Sequence, residues 1–191
     1  MTPIQEKVQK VSLKTLHYAV MTDVTAETYG EVKTLTMPIE LGLTPNFSEA
    51  GFDAGDRQVA YENQLDSIAV TGQLADLPTE VQMDWYGHKK SADGGLIMGT
   101  SDEAKYLAIG FESGSKLVWL YKAKFKPTEE TNATKKKGET AFKQYGFSGE
   151  ALPLIDGTVK HTVRTDDSGV TVTADTFFAT VEKPTEPVPG P

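Results

Sequence analysis

The sequence predicts a mostly β domain suited to binding or assembly, and three observations carry that prediction. The first is the stretch Lys105–Lys126, in which two apolar runs are separated by Ser113-Gly114-Ser115. In its second run Leu117, Trp119, Tyr121, Ala123 and Phe125 share one parity, while Lys122, Lys124 and Lys126 take the other. A period of two places such sets on opposite faces of a strand. The stretch therefore reads as a hairpin with a glycine-containing loop of about three to five residues, one buried face and a lysine stripe facing out. The second observation is that further short alternating segments recur along the chain between clusters of turn-forming residues. The third is that no catalytic motif approaches the strength of this hairpin signal.

Composition narrows the class. A chain of 191 residues fits one domain, or one domain with long arms, and can bury a real core. Its apolar content of 38% is low for a compact domain, so part of the chain is expected outside the core. A net charge of −8 disfavours a protein built to grip nucleic acid, which normally carries a basic face, and suits a surface that nucleic acid slides past. The chain has no cysteine, which excludes disulfides, thiolate metal sites and cysteine nucleophiles and fits a reducing compartment. The opening MTPIQEKVQKVSLK lacks the apolar core of a signal peptide. No run reaches the ~18 apolar residues of a membrane span. A cytoplasmic, soluble protein is the expectation.

In chain order, residues 1–15 are mixed polar and read as an N-terminal arm, with Ile4, Val8 and Val11 at roughly helical spacing. Leu16–Met21 is the first strand, and Thr22–Gly30 reads as loop. Val32–Leu35 is a short strand, and Ile39, Leu41 and Leu43 then alternate with Glu40, Gly42 and Thr44 until Pro45-Asn46 interrupts them. From Phe47 to Asp66 a more polar hairpin is expected around the acidic turn Asp53-Ala54-Gly55-Asp56. Ile68, Val70 and Leu74 mark a further half-buried strand. One helix stands out: Pro78 suits a first turn, Leu77, Val81 and Trp85 recur every four residues, and Gly87 stands at the C-cap position. His88–Thr100 is loop with a short strand at Leu96–Met98, and residues 127–140 form the most polar stretch, an exposed loop. Ala141–Leu152 returns as a strand with Phe142 and Tyr145 or Phe147 inward. Val159–Thr165 and Val170–Ala174 flank Asp166-Asp167-Ser168-Gly169 as a last hairpin. Residues 181–191 form a C-terminal extension with four prolines among the last eight residues, which cannot pair as a central strand.

Several groups invite a chemical reading and support a plainer one. His17, His88 and His161 lie far apart in sequence without the spacing of a metal or catalytic site. Glu49, Asp53, Asp56, Glu62 and Asp66 crowd one hairpin, and paired carboxylates can cleave glycosides. No aromatic-rich segment accompanies them, so a solvated or lumen-facing acidic surface is the better reading. Gly94-Gly95 and Gly110 make no phosphate loop, Asn132-Ala133-Thr134 is a glycosylation triplet without a secretion signal, and Asp166–Gly169 lacks the full calcium-loop pattern. Lys122, Lys124 and Lys126 and the run Lys135, Lys136 and Lys137 could hold phosphates. In a chain this acidic the expected role is to salt-bridge a neighbour's acidic hairpin or block edge-to-edge aggregation. No catalytic residue, metal or cofactor is expected.

Taken in sequence, these parts have a familiar order. A strand holds Tyr18-Ala19-Val20, an alternating strand ends Leu41-Gly42-Leu43-Thr44-Pro45, and the acidic hairpin follows. Next a strand ending Leu74-Ala75-Asp76-Leu77-Pro78 runs directly into the helix that stops at Gly87, and the hairpin Tyr106–Phe111/Leu117–Phe125 comes after it. Gly138-Glu139-Thr140 and a strand close the series. Across residues 16–180 this resembles the major tail protein, or tail tube protein, of phages with long non-contractile tails, especially those of Gram-positive hosts. The resemblance implies a β-sandwich or half-barrel with one short flanking α-helix, extended loops and arms. It also implies a non-enzymatic virion protein, made in the host cytoplasm, whose hexameric rings stack into the tube through which DNA is ejected. Its partners would be itself and the tape measure, tail terminator and distal tail proteins, with DNA passing unbound and no membrane involved.

On that resemblance Phe47, Glu49, Phe52, Arg57, Tyr61, Lys135, Lys136 and Lys137 are expected at subunit or ring interfaces. Asp53, Asp56, Glu62, Asp66, Lys122, Lys124 and Lys126 would face the lumen or pair between subunits. Leu41, Leu43, Ile68, Val70, Trp85, Trp119, Tyr121 and Phe125 would form the core. The rivals are a carbohydrate-binding or adhesion β-sandwich, which would expose Trp85 and Trp119, a small hydrolase using Asp53 or Asp56, and the tube protein of a contractile tail or secretion system. Deleting residues 129–138 is expected to leave the fold intact and impair assembly; normal tubes in electron micrographs of that variant would remove the loop from the interface.

Overall fold

In a computed structural model the chain is described over residues 12–53, 56–130 and 143–185, and it is mainly β as expected. The elements are β1 (Leu13–Asp23), β2 (Thr28–Tyr29), β3 (Lys33–Leu35), β4 (Pro38–Asp53), β5 (Gln58–Leu74), α1 (Thr79–Tyr86), β6 (Lys89–Lys90) and β7 (Leu96–Ile97). After these come β8 (Leu107–Ser113), β9 (Lys116–Pro127), β10 (Tyr145–Leu152), β11 (Lys160–Arg164) and α2 (Ala174–Phe177). The main sheet runs β2-β1-β8-β9-β10-β5-β4, with β3 added beside β1 and β11 beside β9, and every pairing is antiparallel. β3 leads straight into β4 at the far end of the order, and β1 and β4 touch, so the sheet curls around its contents as a half-barrel. β6 and β7 form a small separate ribbon.

The expected single buried face of β9 is corrected. Leu107 pairs with Ala123 but Ile109 pairs with Leu120, so Tyr121 and Lys122 together oppose Ala108. That extra residue is a β-bulge, which reverses the parity of everything after it. Leu120, Ala123 and Phe125 consequently face one core, while Leu117, Trp119 and Tyr121 face another on the opposite side. The run Leu117–Tyr121 is buried at every position because both faces of the strand are covered there. The loop before β9 is also shorter than expected. Ser113 pairs with Lys116, leaving Gly114-Ser115 as a two-residue turn with Gly114 at φ 61°, the conformation that glycine adopts without a Cβ clash.

The first core lies inside the curled sheet and is closed by α1. Trp85 is fully buried, stacks on Phe125 at 4.9 Å and meets Phe147 and Tyr18 edge-on at 5.0 and 5.7 Å. Offset and edge-on ring pairs of this kind add about 0.5–1.5 kcal/mol each beyond the area they bury. Lys33 on β3 reaches Asp84 at 2.8 Å and Glu80 at 2.9 Å, and the Tyr18 hydroxyl donates to Asp84, so polar contacts also hold the helix on the strands. The helix stops where expected: Gly87 adopts φ 74°, its N–H returns to the Met83 carbonyl, and a Cβ there would lie 2.2 Å from the Glu103 carbonyl oxygen. Leu41 and Leu43 are only half-buried, whereas Ile68, Val70 and Phe125 belong to this core as expected.

The second core is covered by the C-terminal segment and not by a strand. Val170–Ala174 does not pair; α2 follows, with Thr173 as its N-cap. The Trp119 indole N–H donates to the Phe177 carbonyl at 3.0 Å, the Tyr121 hydroxyl donates to the Glu182 carbonyl at 3.0 Å, and Lys183 pairs with the buried Glu27 carboxylate. His17 stacks on Phe178 at 4.1 Å, and burial lowers its pKa. Other boundaries shift as well. β1 starts at Leu13, β2 falls in the expected loop, Pro45-Asn46 does not interrupt β4, and β5 joins what reads as two segments. Phe142 lies outside the described residues, while Phe147 points inward.

Tyr86 is buried and its hydroxyl has no hydrogen-bond partner among the described residues. Burial pushes its phenol from 10.0 up to about 12. The fold thus favours the protonated phenol, a contribution present below pH 10 and lost as pH rises from 10 toward 12. Tyr86→Phe is expected to lie within about 1 kcal/mol of the native protein at neutral pH. Its loss of stability in alkali, followed by denaturant titration at stepped pH, should be shallower than that of the native protein.

Candidate assembly surface

β4 and β5 are 16 and 17 residues long, roughly three times an ordinary strand. β10 covers the outer edge of β5 only between Ile68 and Leu74. Beyond that point, from Phe47↔Leu65 to Asp53↔Gln58, the two strands pair with each other alone among the described residues. They form an arm, a two-stranded ribbon extending past the body. A second bulge between Asn46 and Phe47 carries Leu65, which packs against the first core, onto the same side as Val70 and Leu43. Continuing the register puts Phe47, Glu49, Tyr61 and Val59 on this face, and Ser48, Phe52, Glu62, Gln64 and Asp66 on the other.

The ribbon is therefore two-sided in chemistry as well as in space. Phe47, Val59 and Tyr61 on one face are 53, 56 and 54% exposed, and Phe52 on the other is 65% exposed. The acidic group read from sequence does not converge. Glu62 and Asp66 share the polar face, where Ser48 donates to Asp66. Glu49 lies on the apolar face and accepts a hydrogen bond from Tyr61, which raises the phenol's pKa. Asp56 sits in the turn at φ 61° with Arg57 beside it, both exposed, and Asp53 closes β4. Among the described side chains, Glu49 lies on the opposite face of the ribbon from Glu62 and Asp66.

The lysine stripe is brought to a different place. Because of the β9 bulge, Lys122, Lys124 and Lys126 lie on the face of the second core, beyond the reach of the C-terminal segment. Lys122 and Lys124 are half-buried, not outward-facing, and sit over the Tyr106 ring at 5.5 and 5.1 Å from its centroid. Lys126 is exposed. Across the sheet Lys124 is in register with Glu150 and Ala69, and Lys126 with Ser148 and Thr71. Together with Ala104, Tyr106 and Leu152 these residues line a groove of about 610 Å³. None of the three lysines makes an ion pair among the described residues. Lys135, Lys136 and Lys137 lie outside the described residues.

Elsewhere the titratable groups serve local structure. His88 meets Asp102 at 2.8 Å in a buried pair that pins the loop after α1, and the Gly99 N–H together with His88 holds Asp102 below the usual carboxylate range. His161 lies beside Phe177, and burial lowers its pKa. Among the described residues no cluster of three or more His, Cys, Asp or Glu is placed to hold a metal, and no helix is long and apolar enough to cross a membrane. Trp85 and Trp119 are both buried, so neither is available to stack on a sugar.

No family model matches the chain, and no curated protein matches it. Among solved structures it is similar to a chain of the sheath–tube complex of an extracellular contractile injection system, PVC, in the extended state. That alignment has 12% identity and a TM-score of 0.42, and covers 85% of this chain and 93% of the other. It is also similar to a chain of the anti-feeding prophage cap, the tube-terminating cap, with 12% identity, a TM-score of 0.44 and coverage of 85% and 95%. The ribbon generates one expectation of its own. Amides of residues 47–53 and 58–65 that pair only across the ribbon should exchange with solvent much faster than those of Ile68–Leu74 when hydrogen exchange is followed at low protein concentration.

Proposed function

We propose that this chain is a structural subunit of a tail tube, which self-assembles into hexameric rings stacked as the conduit for DNA ejection in a long-tailed phage. The observation that carries the reading is the solvated ribbon. A two-stranded hairpin standing alone is marginally stable in water. This one also presents Phe47, Val59 and Tyr61 on a single face, where a monomer gains nothing from them. A neighbouring copy that covers this face gives the ribbon its missing support. The ribbon and the lysine groove are different surfaces, so a contact between them is head-to-tail, and such contacts close into rings or continue as filaments.

The finer assignment rests on the sequence resemblance: a virion tail protein of the long non-contractile type from a Gram-positive host or its prophage. The tape measure, tail terminator and distal tail proteins would be its partners. A net charge of −8 suits a conduit in which phosphate backbones do not adhere, without enzymatic chemistry. The loop at 127–140 would add contacts between subunits or rings. A tube protein of a contractile tail or secretion system would need, in addition, an exterior that binds a sheath.

Negative-stain electron microscopy across a concentration series, alongside sedimentation, tests the reading. Rings or hollow tubes are expected from the native chain. Phe47→Ser with Tyr61→Ser should abolish them while moving monomer stability by no more than about 0.5 kcal/mol per site, as exposed substitutions do. A native chain that stays monomeric at every concentration would overturn the proposal.

A further inference from the structure

We propose that the apolar face of one copy's ribbon seats in the lysine-rimmed groove of the next, with Glu49 pairing with Lys124 and Lys126. The inference rests on the assembly reading above and names the contact it would use. On the ribbon's apolar face lies the acid Glu49, between Phe47 and Tyr61 of the neighbouring strand. Covering Phe47 and Tyr61 covers Glu49 too, and a carboxylate taken out of water without a cation is strongly disfavoured. Whatever covers this face must therefore offer a positive charge beside an apolar floor.

The groove offers both. Its floor is made of small or apolar groups, Ala69, Thr71, Ala104 and Leu152, with the Tyr106 ring as a wall. At about 610 Å³ it lies within the ~300–1,000 Å³ of pockets that hold compact ligands, enough for two aromatic rings. Its charge is unbalanced: among its lining residues Lys124 and Lys126 meet one acid, Glu150, and neither lysine makes an ion pair among the described residues. Lys124 is already half-desolvated over Tyr106, so it loses less hydration on pairing than a free surface lysine would. The more strongly acidic face of the ribbon, with Glu62 and Asp66, stays toward solvent in this arrangement.

A charge swap followed by sedimentation equilibrium tests the seat. Glu49→Lys, Glu49→Gln, Lys126→Glu and the pair Lys124→Glu with Lys126→Glu should each weaken association, by at least about tenfold for the charge reversals. Combining Glu49→Lys with the two lysine reversals should restore association to within about threefold of native, a recovery that direct pairing produces and general electrostatics does not. Circular dichroism checks that each variant is folded, and Glu49→Gln and the exposed Lys126→Glu keep the test valid if Lys124→Glu is not. Native association in Glu49→Lys, or no recovery in the combined variant, would overturn the seat and leave the assembly reading standing. A native chain that never associates would overturn both. Retention of single-stranded DNA by the native chain but not by Lys126→Glu, with association of Glu49→Lys unchanged, would give the groove to phosphate and overturn the proposal.

Discussion

Strand β9 is packed from both sides, and the rest of the body is arranged around that fact. On one side Leu120, Ala123 and Phe125 meet the aromatic group around Trp85, which fixes α1. On the other, Leu117, Trp119 and Tyr121 belong to a core closed by the C-terminal segment, whose carbonyls accept from Trp119 and Tyr121 and whose Lys183 pairs with Glu27, without a β ladder. The bulge opposite Ala108 makes the division possible. It turns Ala123 and Phe125 inward and leaves Lys122 and Lys124 against Tyr106. One local irregularity thus decides which residues build the body and which remain for contact.

The ribbon poses the opposite problem. Its strands continue past the last residue that β10 pairs, so beyond that point the two strands pair with each other alone among the described residues, and most of their side chains are exposed. Isolated ribbons pay conformational entropy without a core to offset it. The body anchors this one through Leu65, and Phe47, Val59 and Tyr61 beyond it remain exposed. In the proposed seat the ribbon supplies exposed apolar area with Glu49, and the groove supplies a shallow apolar floor with lysines that make no ion pair among the described residues.

Much of the fold was legible in the sequence because its signals were local. Pro78, the Leu77/Val81/Trp85 spacing and Gly87 define α1, and the Gly114 turn places β8 and β9. What misled was parity. Leu117–Phe125 alternates well enough to look one-sided, and nothing in the string marks Tyr121 and Lys122 as sharing a partner; the bulge is set by the register of β8. The same limitation hid the division of the acidic hairpin, since Glu49 and Glu62 reach opposite faces only through strand pairing. The covering of Trp119 by Phe177 and Phe178 brings together residues almost sixty positions apart, which periodicity cannot register. Val170–Ala174 kept its β-like composition but pairs with no strand, and the Thr173 capping box opens α2 instead.

The bulge also bears on chain length. Ala108 has two residues opposite it, so β9 carries one position that the ladder does not require. Removing Lys122 would place Tyr121 opposite Ala108 and leave Ala123 opposite Leu107, restoring a regular alternation with every later side chain on its present face. A single-residue deletion in the most buried strand, ordinarily a frame error for a sheet, would here cost one lysine over Tyr106 and little else.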